Sequence, residues 1–235
     1  MGKTVLLASA AALAWMTAAE AGAARPSATI SGRAASHLVF RSEPGVKTLY
    51  DQNGNDSDTA SSSQNFESSY DQYDDQGADD FTIPKGHKWR IKEVDVTGQY
   101  RFTGSVADTA NVFFYRDGGG LPGVLVAECD NVKTADPGTG DFAMKLPKKT
   151  CKVELNGGNT YWVSVQANLD YSSPAEQWYW ETNTTPQGAA AAWQDPNGGW
   201  TTLGAPADCN VWKTLSYCLS GSGDWMFALK GKDMR

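Results

Sequence analysis

Residues 71–102, DQYDDQGADDFTIPKGHKWRIKEVDVTGQYRF, run from an acidic loop into strand-forming sequence and decide the fold class. Phe81 and Ile83 alternate with polar neighbours until Pro84, Lys85 and Gly86 form a turn. Strand character then resumes, with Trp89 and Ile91 at odd positions but Val94, Val96, Tyr100 and Phe102 at even ones. The apolar parity therefore changes at Lys92 and Glu93. A β-bulge at that point keeps both sets facing inward, because a one-residue slip otherwise sends side chains to the opposite face.

Outward from this stretch the pattern stays β. Asn111–Tyr115, Val124–Cys129, Phe142–Leu146, Thr160–Ala167, Gln177–Glu181 and Trp225–Leu229 read as strands separated by Gly- and Pro-rich turns. Asn156-Gly-Gly-Asn159 gives the best hairpin signal, since these residues tolerate positive φ. Trp193, the turn Asp195-Pro-Asn-Gly198 and Trp200 predict a further hairpin. No long amphipathic helix is present in the pattern, and nine tryptophans with 24 glycines suit a turn-rich all-β fold. The expectation is one antiparallel β-sandwich, jelly-roll-like, over 66–235. It follows a flexible segment at 24–65 that contains the polar tract Asp56–Gln64, with short strands at His37–Phe40 and Thr48–Tyr50.

Residues 1–23 carry the marks of a secretory signal peptide: Lys3, an apolar run from Val5 to Met16, and small-x-small cleavage sites ending at Ala21 or Ala23. The run is too short to span a bilayer, so the expected product is secreted or periplasmic, without membrane insertion. Losing that segment removes Lys3 and Glu20, leaving 19 basic and 26 acidic residues and a net charge still at −7. Such a balance disfavours nucleic acid and anionic membranes and suits a cation or a neutral polar ligand. Cys129, Cys151, Cys209 and Cys218 are even in number, as an oxidising compartment requires. Four thiols allow three pairings. Cys129–Cys151 and Cys209–Cys218 are preferred because each closes a short loop.

The chain resembles secreted bacterial β-sandwich modules, largely uncharacterised. They share the signature A-D-D-F-x-x-P-x-G-x-x-W-x-I-x-x-V-x-V-x-G-x-Y, here Ala78–Phe81, Pro84, Gly86, Trp89, Ile91, Val94, Val96, Gly98 and Tyr100, followed by Gly120-Leu-Pro-Gly123. The resemblance extends over residues 64–230 and implies an extracellular, non-catalytic role. It supplies no functional residues. Chain order and length are also similar to jelly-roll carbohydrate-binding modules, an analogy of fold that does not fix function.

Two constellations are candidate sites. Between Lys47 and Lys85 there are acidic residues but no basic ones, and Asp71, Asp74, Asp75, Asp79 and Asp80 crowd one strand entrance, a donor set suited to calcium. Asp51, Asn53 and Asn55 imitate the start of an EF-type loop, but Gly54 is misplaced and Ser62 replaces the closing Glu. A solvated acidic loop is the competing reading. The second constellation is aromatic: Trp162, Tyr179, Trp193, Trp200 and Trp212 near turns or polar strand faces, with Gln166 and Gln177 beside them, could stack sugar rings. Trp162 and Tyr179 are the preferred pair, on strands expected to be neighbours. Core filling competes.

Enzymatic readings have little to stand on. There is no G-x-S-x-G or H-E-x-x-H motif, and the only histidines are His37 and His87. Glu176 and Glu181 are the one pair that could serve a glycoside hydrolase. The order of expectation is a non-catalytic binding module for an extracellular glycan or surface polymer, then a structural or adhesion protein, then an enzyme.

Overall fold

The computed structural model describes residues 25–32, 40, 44–102, 104–171 and 177–235. The signal peptide, most of the strand expected at His37–Phe40, and Glu176 lie outside them. In chain order the strands are β1 (Thr29–Ser31), β2 (Lys47–Asp51), β3 (Asp56–Ser62), β4 (Gln64–Asn65), β5 (Gln76–Ile83), β6 (Lys88–Val96), β7 (Gly98–Tyr100) and β8 (Thr109–Asp117). They continue with β9 (Pro122–Ala135), β10 (Phe142–Lys145), β11 (Val153–Asn156), β12 (Asn159–Asn168), β13 (Trp178–Asn183), β14 (Ala192–Gln194), β15 (Lys213–Thr214) and β16 (Phe227–Asp233). The only α-helix among the described residues is the short α1 (Leu215–Leu219).

These strands make an all-β sandwich of antiparallel sheets. One sheet of four runs β1-β3-β13-β7, and a second of twelve runs β15-β14-β5-β12-β8-β9-β10-β6-β16-β2, with β4 beside β12 and β11 beside β6. The larger sheet folds over on itself at β9, which pairs with β8 along most of its length and with β10 only at Thr134 and Ala135. One wall brings Phe81, Ile83, Val112, Phe114 and Val163 to the core, and the facing wall Trp89, Ile91, Val94, Phe227 and Leu229. The walls meet where the Phe81 and Trp89 rings stack with centroids 6.3 Å apart.

The parity change in β6 is a bulge. Lys230 pairs with Glu93 and Gly231 with Ile91, so Lys92 is the extra residue. Its other edge shows the same break: β10 pairs with residues 93–96 and β11 with residues 88–91. Trp89, Ile91, Val94 and Val96 consequently all reach the core. The strand does not run on to Phe102 as expected. It breaks at Thr97 and crosses to the smaller sheet as β7, where a Cβ on Gly98 would lie 2.5 Å from the Trp178 indole nitrogen. Tyr100 packs against the core, but Phe102 is 47% exposed.

Two further expectations are corrected. The Asn156–Asn159 turn exists, but its arms do not pair: β11 joins β6 while β12 lies between β5 and β8. It is an arch between walls, and so is the Pro84–His87 corner connecting β5 to β6. The arches stack, with Gly157 N–H donating to His87 O at 2.7 Å and Gly158 N–H to Ile83 O at 2.7 Å. Trp200, expected on a hairpin arm, sits in a 3₁₀ turn at Gly199–Leu203 after Asp195 accepts from the Gly198 and Trp200 N–H groups.

The segment read as a flexible linker is built into both sheets as β1–β4. Ser61, Ser62, Ser63 and Gln64 are buried, and polar groups of the segment find partners inside the fold. Ser63 Oγ accepts from Gly77 N–H at 2.8 Å, Gln64 Oε1 accepts from Trp178 N–H at 2.7 Å, and Ser57 and Thr182 hydroxyls lie 2.6 Å apart. Their small volume also lets indoles lie close, as where Trp193 Nε1 donates to Ser62 O.

Both short-range disulfides form: Cys129–Cys151 with Cα atoms 5.4 Å apart and Cys209–Cys218 with 6.0 Å. Peptide mapping without reduction is expected to recover these two pairs, each contributing about 2–4 kcal/mol chiefly by restricting the unfolded chain. A Cys129–Cys209 peptide would contradict this.

Candidate functional site

Of the aromatic residues expected to meet a ligand, all but the half-buried Trp212 are interior. Trp162, Tyr179, Trp193 and Trp200 are each 0% exposed, Gln177 likewise, and Gln166 is 7% exposed. Strand alternation does send Trp162 to the face of β12 opposite Val163 and Val165, but that face is covered too. Trp162 packs with Ala78, Phe113, Tyr115 and Ala192 under Leu121, Ala189 and Trp212. Tyr179 belongs to the other sheet and donates to Gln177 Oε1 at 2.9 Å, while the same Gln177 grips Ser27 N–H and C=O at 2.9 and 2.8 Å. The N-terminal segment thus closes over it. Trp162 and Tyr179 therefore do not form a shared patch.

The surplus of tryptophan has a structural explanation. Six indoles, Trp162, Trp178, Trp180, Trp193, Trp200 and Trp225, are wholly buried, and each N–H has an acceptor: Asp117 Oδ1, Gly140 O, Met226 O, Ser62 O, Tyr73 O and Ala192 O, at 2.8–3.2 Å. A buried indole whose donor is satisfied contributes its full apolar area. Asp117, the one charged acceptor, is held below the usual carboxylate range first by the Trp162 bond and also by the Gly120 and Gly119 N–H groups.

The aspartates are tied to separate backbone partners. Asp74 accepts from Phe66 N–H and Asp75 from Gln64 N–H, while Asp71 begins a 3₁₀ turn. Asp79 and Asp80 are consecutive in β5 and point to opposite faces. Asp79 turns inward to Gln52 Nε2 and Trp225 N–H, at 2.8 and 2.7 Å. Asp80 turns outward to Ala189 N–H at 2.7 Å, where a Cβ on Gly188 would collide with its carboxylate. Among the described residues no group of three His, Cys, Asp or Glu is placed to hold a metal. Asp71, Asp74, Asp75, Asp79 and Asp80, the residues expected to share calcium, form no such group.

Their burial shows in their acidity. Desolvation pushes Asp75 and Asp79 well above the ordinary range, Asp224 adding to the effect at Asp79, and raises Asp74 and Asp80 to about 6. Glu181 is 1% exposed. His87 Nδ1 lies 2.7 Å from Asp233 Oδ2, within hydrogen-bond distance.

Among the recesses open to solvent, two have polar or charged rims, and sequence reading identified neither as a concavity. The first, about 310 Å³, lies between the Asp51–Asn55 loop and the segment after β13, lined by Asp51, Gln52, Asn53, Asn55, Asn183, Thr185 and Gln187. Its frame is rigid: Thr184 N–H donates to Asn55 O at 2.6 Å, Thr97 Oγ1 to Asn53 Oδ1 at 3.0 Å, and Gln52 reaches Asp79 beneath. Asp51 and the Gln187 side chain are exposed at its rim.

The second recess, about 320 Å³, opens at the Lys92 bulge. Leu146 N–H donates to Lys92 O at 2.9 Å; the chain then leaves the sheet, turns with Cys151 N–H on Pro147 O at 2.8 Å, and rejoins as β11. The Cys129–Cys151 bridge fixes that excursion to β9. Arg90, Lys92, Lys148 and Lys152 line the opening above Ile91, Leu146, Cys151 and Val153.

No protein-family model, curated protein or solved structure matches the chain. The class is therefore defined by architecture alone: a disulfide-braced antiparallel β-sandwich whose surface recesses include one rimmed by amides and one rimmed by cations.

Trp162→Ala and Tyr179→Ala are each expected to lower stability by about 3–5 kcal/mol in urea titrations, as core truncations do. Near-native stability in both would return these rings to the surface. For Asp80 the raised folded-state value means that the native state holds the proton more tightly than the unfolded chain. Stability therefore falls as pH rises from about 4 through about 6, then levels. Asp80→Asn keeps an acceptor for Ala189 and removes the titration, so its melting temperature should fall less across that window than the parent's. An unchanged slope would contradict the assignment.

Proposed function

We propose that the protein is an exported, non-catalytic binding module for an extracellular glycan or similar polar ligand, held in the recess between Asp51–Asn55 and Asn183–Gln187. The observation that carries the reading is that the side chains of Asn53, Asn55, Thr185 and Gln187 line one concave surface of about 310 Å³, a size that suits a small saccharide. Asn and Gln both donate and accept, and so match vicinal hydroxyls. The aromatic platform anticipated from sequence is spent on the core, so recognition here rests on hydrogen bonds. Export is supported by the N-terminal signal pattern and by the two disulfides.

A glycan array tests this directly. Asp51→Ala and Gln187→Ala alter exposed rim side chains and should weaken the best-bound glycan by about tenfold each, with melting temperature unchanged, as the loss of a buried hydrogen bond in a complex implies. Parent-like binding by both variants would remove the recess from the site.

A structural or adhesive role is the second reading, favoured by the free edge of β9, where Val124 is 72% exposed beside Leu125 and Val126. An open apolar strand edge invites pairing with another strand. Silent glycans together with self-association abolished by Val124→Lys would favour it.

A further inference from the structure

We propose a second ligand site: the recess at the Lys92 bulge binds the carboxylate or sulfate groups of an acidic polysaccharide. The choice of a polysaccharide rests on the reading of the protein as an exported glycan-binding module. The anion preference does not.

The chain is acidic overall, at −7, yet its positive charge is concentrated. Residues 85–92 contain Lys85, Lys88, Arg90 and Lys92, residues 145–152 contain Lys145, Lys148, Lys149 and Lys152, and neither run contains Asp or Glu. Strand pairing makes the two runs neighbours, because β10 and β11 both lie against β6. Of the carboxylates beside them, Glu93 is held by Lys230 and Asp233 by Lys47 and Arg235, and Glu154 is already claimed by Lys88, Lys152 and Arg90, with Lys88 and Lys152 at 3.0 Å. Those three cations hold Glu154 down to about 2, so it stays ionised and the group keeps a positive excess throughout the physiological range.

Charge alone would make only a sticky surface. Here it rims a concavity of about 320 Å³ that exists because the extra residue at Lys92 separates β10 from β11. The floor is apolar, from Ile91, Leu146 and Val153, and the rim carries Arg90, Lys148 and Lys152. A sugar ring offers the complement: C–H faces for the floor and a substituent anion for the rim. Arg90 Nε and Nη2 already hold Glu154, so the anion is met first by Lys148, a mobile point charge, with the remaining donors of Arg90 and Lys152 beside it. Nucleic acid fits less well, since its dense phosphates would extend past this limited patch onto an acidic remainder.

Binding of dextran sulfate, polygalacturonate, unsubstituted dextran and single-stranded DNA to the full chain tests the assignment. The expected result is that both acidic polysaccharides bind, that added salt weakens them, and that unsubstituted dextran does not bind this recess. Lys148→Glu with Lys152→Glu should weaken the acidic polysaccharides by about tenfold or more, while Lys213→Glu, at the far edge of the same sheet, changes them by less than about twofold. Melting curves establish that the variants fold. Undiminished binding by the folded double variant, or no binding of either acidic polysaccharide by the parent, overturns the proposal. DNA binding as tight as dextran sulfate overturns the polysaccharide assignment. A neutral glycan that still binds through Asp51 and Gln187 in the double variant leaves the function proposed above standing, so the two readings fail separately.

Discussion

The stacking of two corners governs this architecture. At Pro84–His87 and Asn156–Asn159 the chain leaves one wall of the sandwich for the other, and the second corner lies on the backbone of the first. A side chain at Gly157 would lie 2.2 Å from Pro84 O, so the contact requires glycine. With the corners locked, β12 must run antiparallel to β5 and β11 antiparallel to β6, and both core faces are in register before any other strand is considered. The bulge at Lys92 then restores the inward direction of the apolar residues on both sides of it.

The sequence made this bulge legible because alternation is strict in a strand wall, and the parity change in Trp89-x-Ile91-x-x-Val94-x-Val96 calls for one extra residue between Ile91 and Val94. The same alternation placed Trp162 on the opposite face to Val163. What it could not reveal is whether a second layer covers that face. The covering groups, Ala189, Leu121 and Trp212, come from loops remote in sequence. Asn-Gly-Gly-Asn was misread for a related reason: a turn signal reports that the chain reverses, not whether its arms hydrogen-bond to each other or to separate partners. The Asp56–Gln64 tract was misread because hydrophobicity is a poor guide where large rings supply the apolar area and neighbours need only be small and hydrogen-bonded.

The candidate sites were less legible than the fold. Aspartates that look like a ligand set in one dimension diverge once strand alternation and separate backbone donors claim them one by one. The basic recess was hidden by averaging, since a net charge of −7 conceals two positive runs whose adjacency depends on pairing across more than fifty residues. Likewise, the amide recess draws on residues 51–55 and 183–187, which no local pattern connects.

The position of β16 has a consequence for how the chain reaches this state. Phe227–Asp233 lies between β6 and β2, pairing with both, so the last of these strands to be synthesised is an inner strand of its wall. Until it arrives, β2 has no neighbour in that wall and the core around Phe227 stays open. A topology so dependent on distant partners has high contact order and folds slowly.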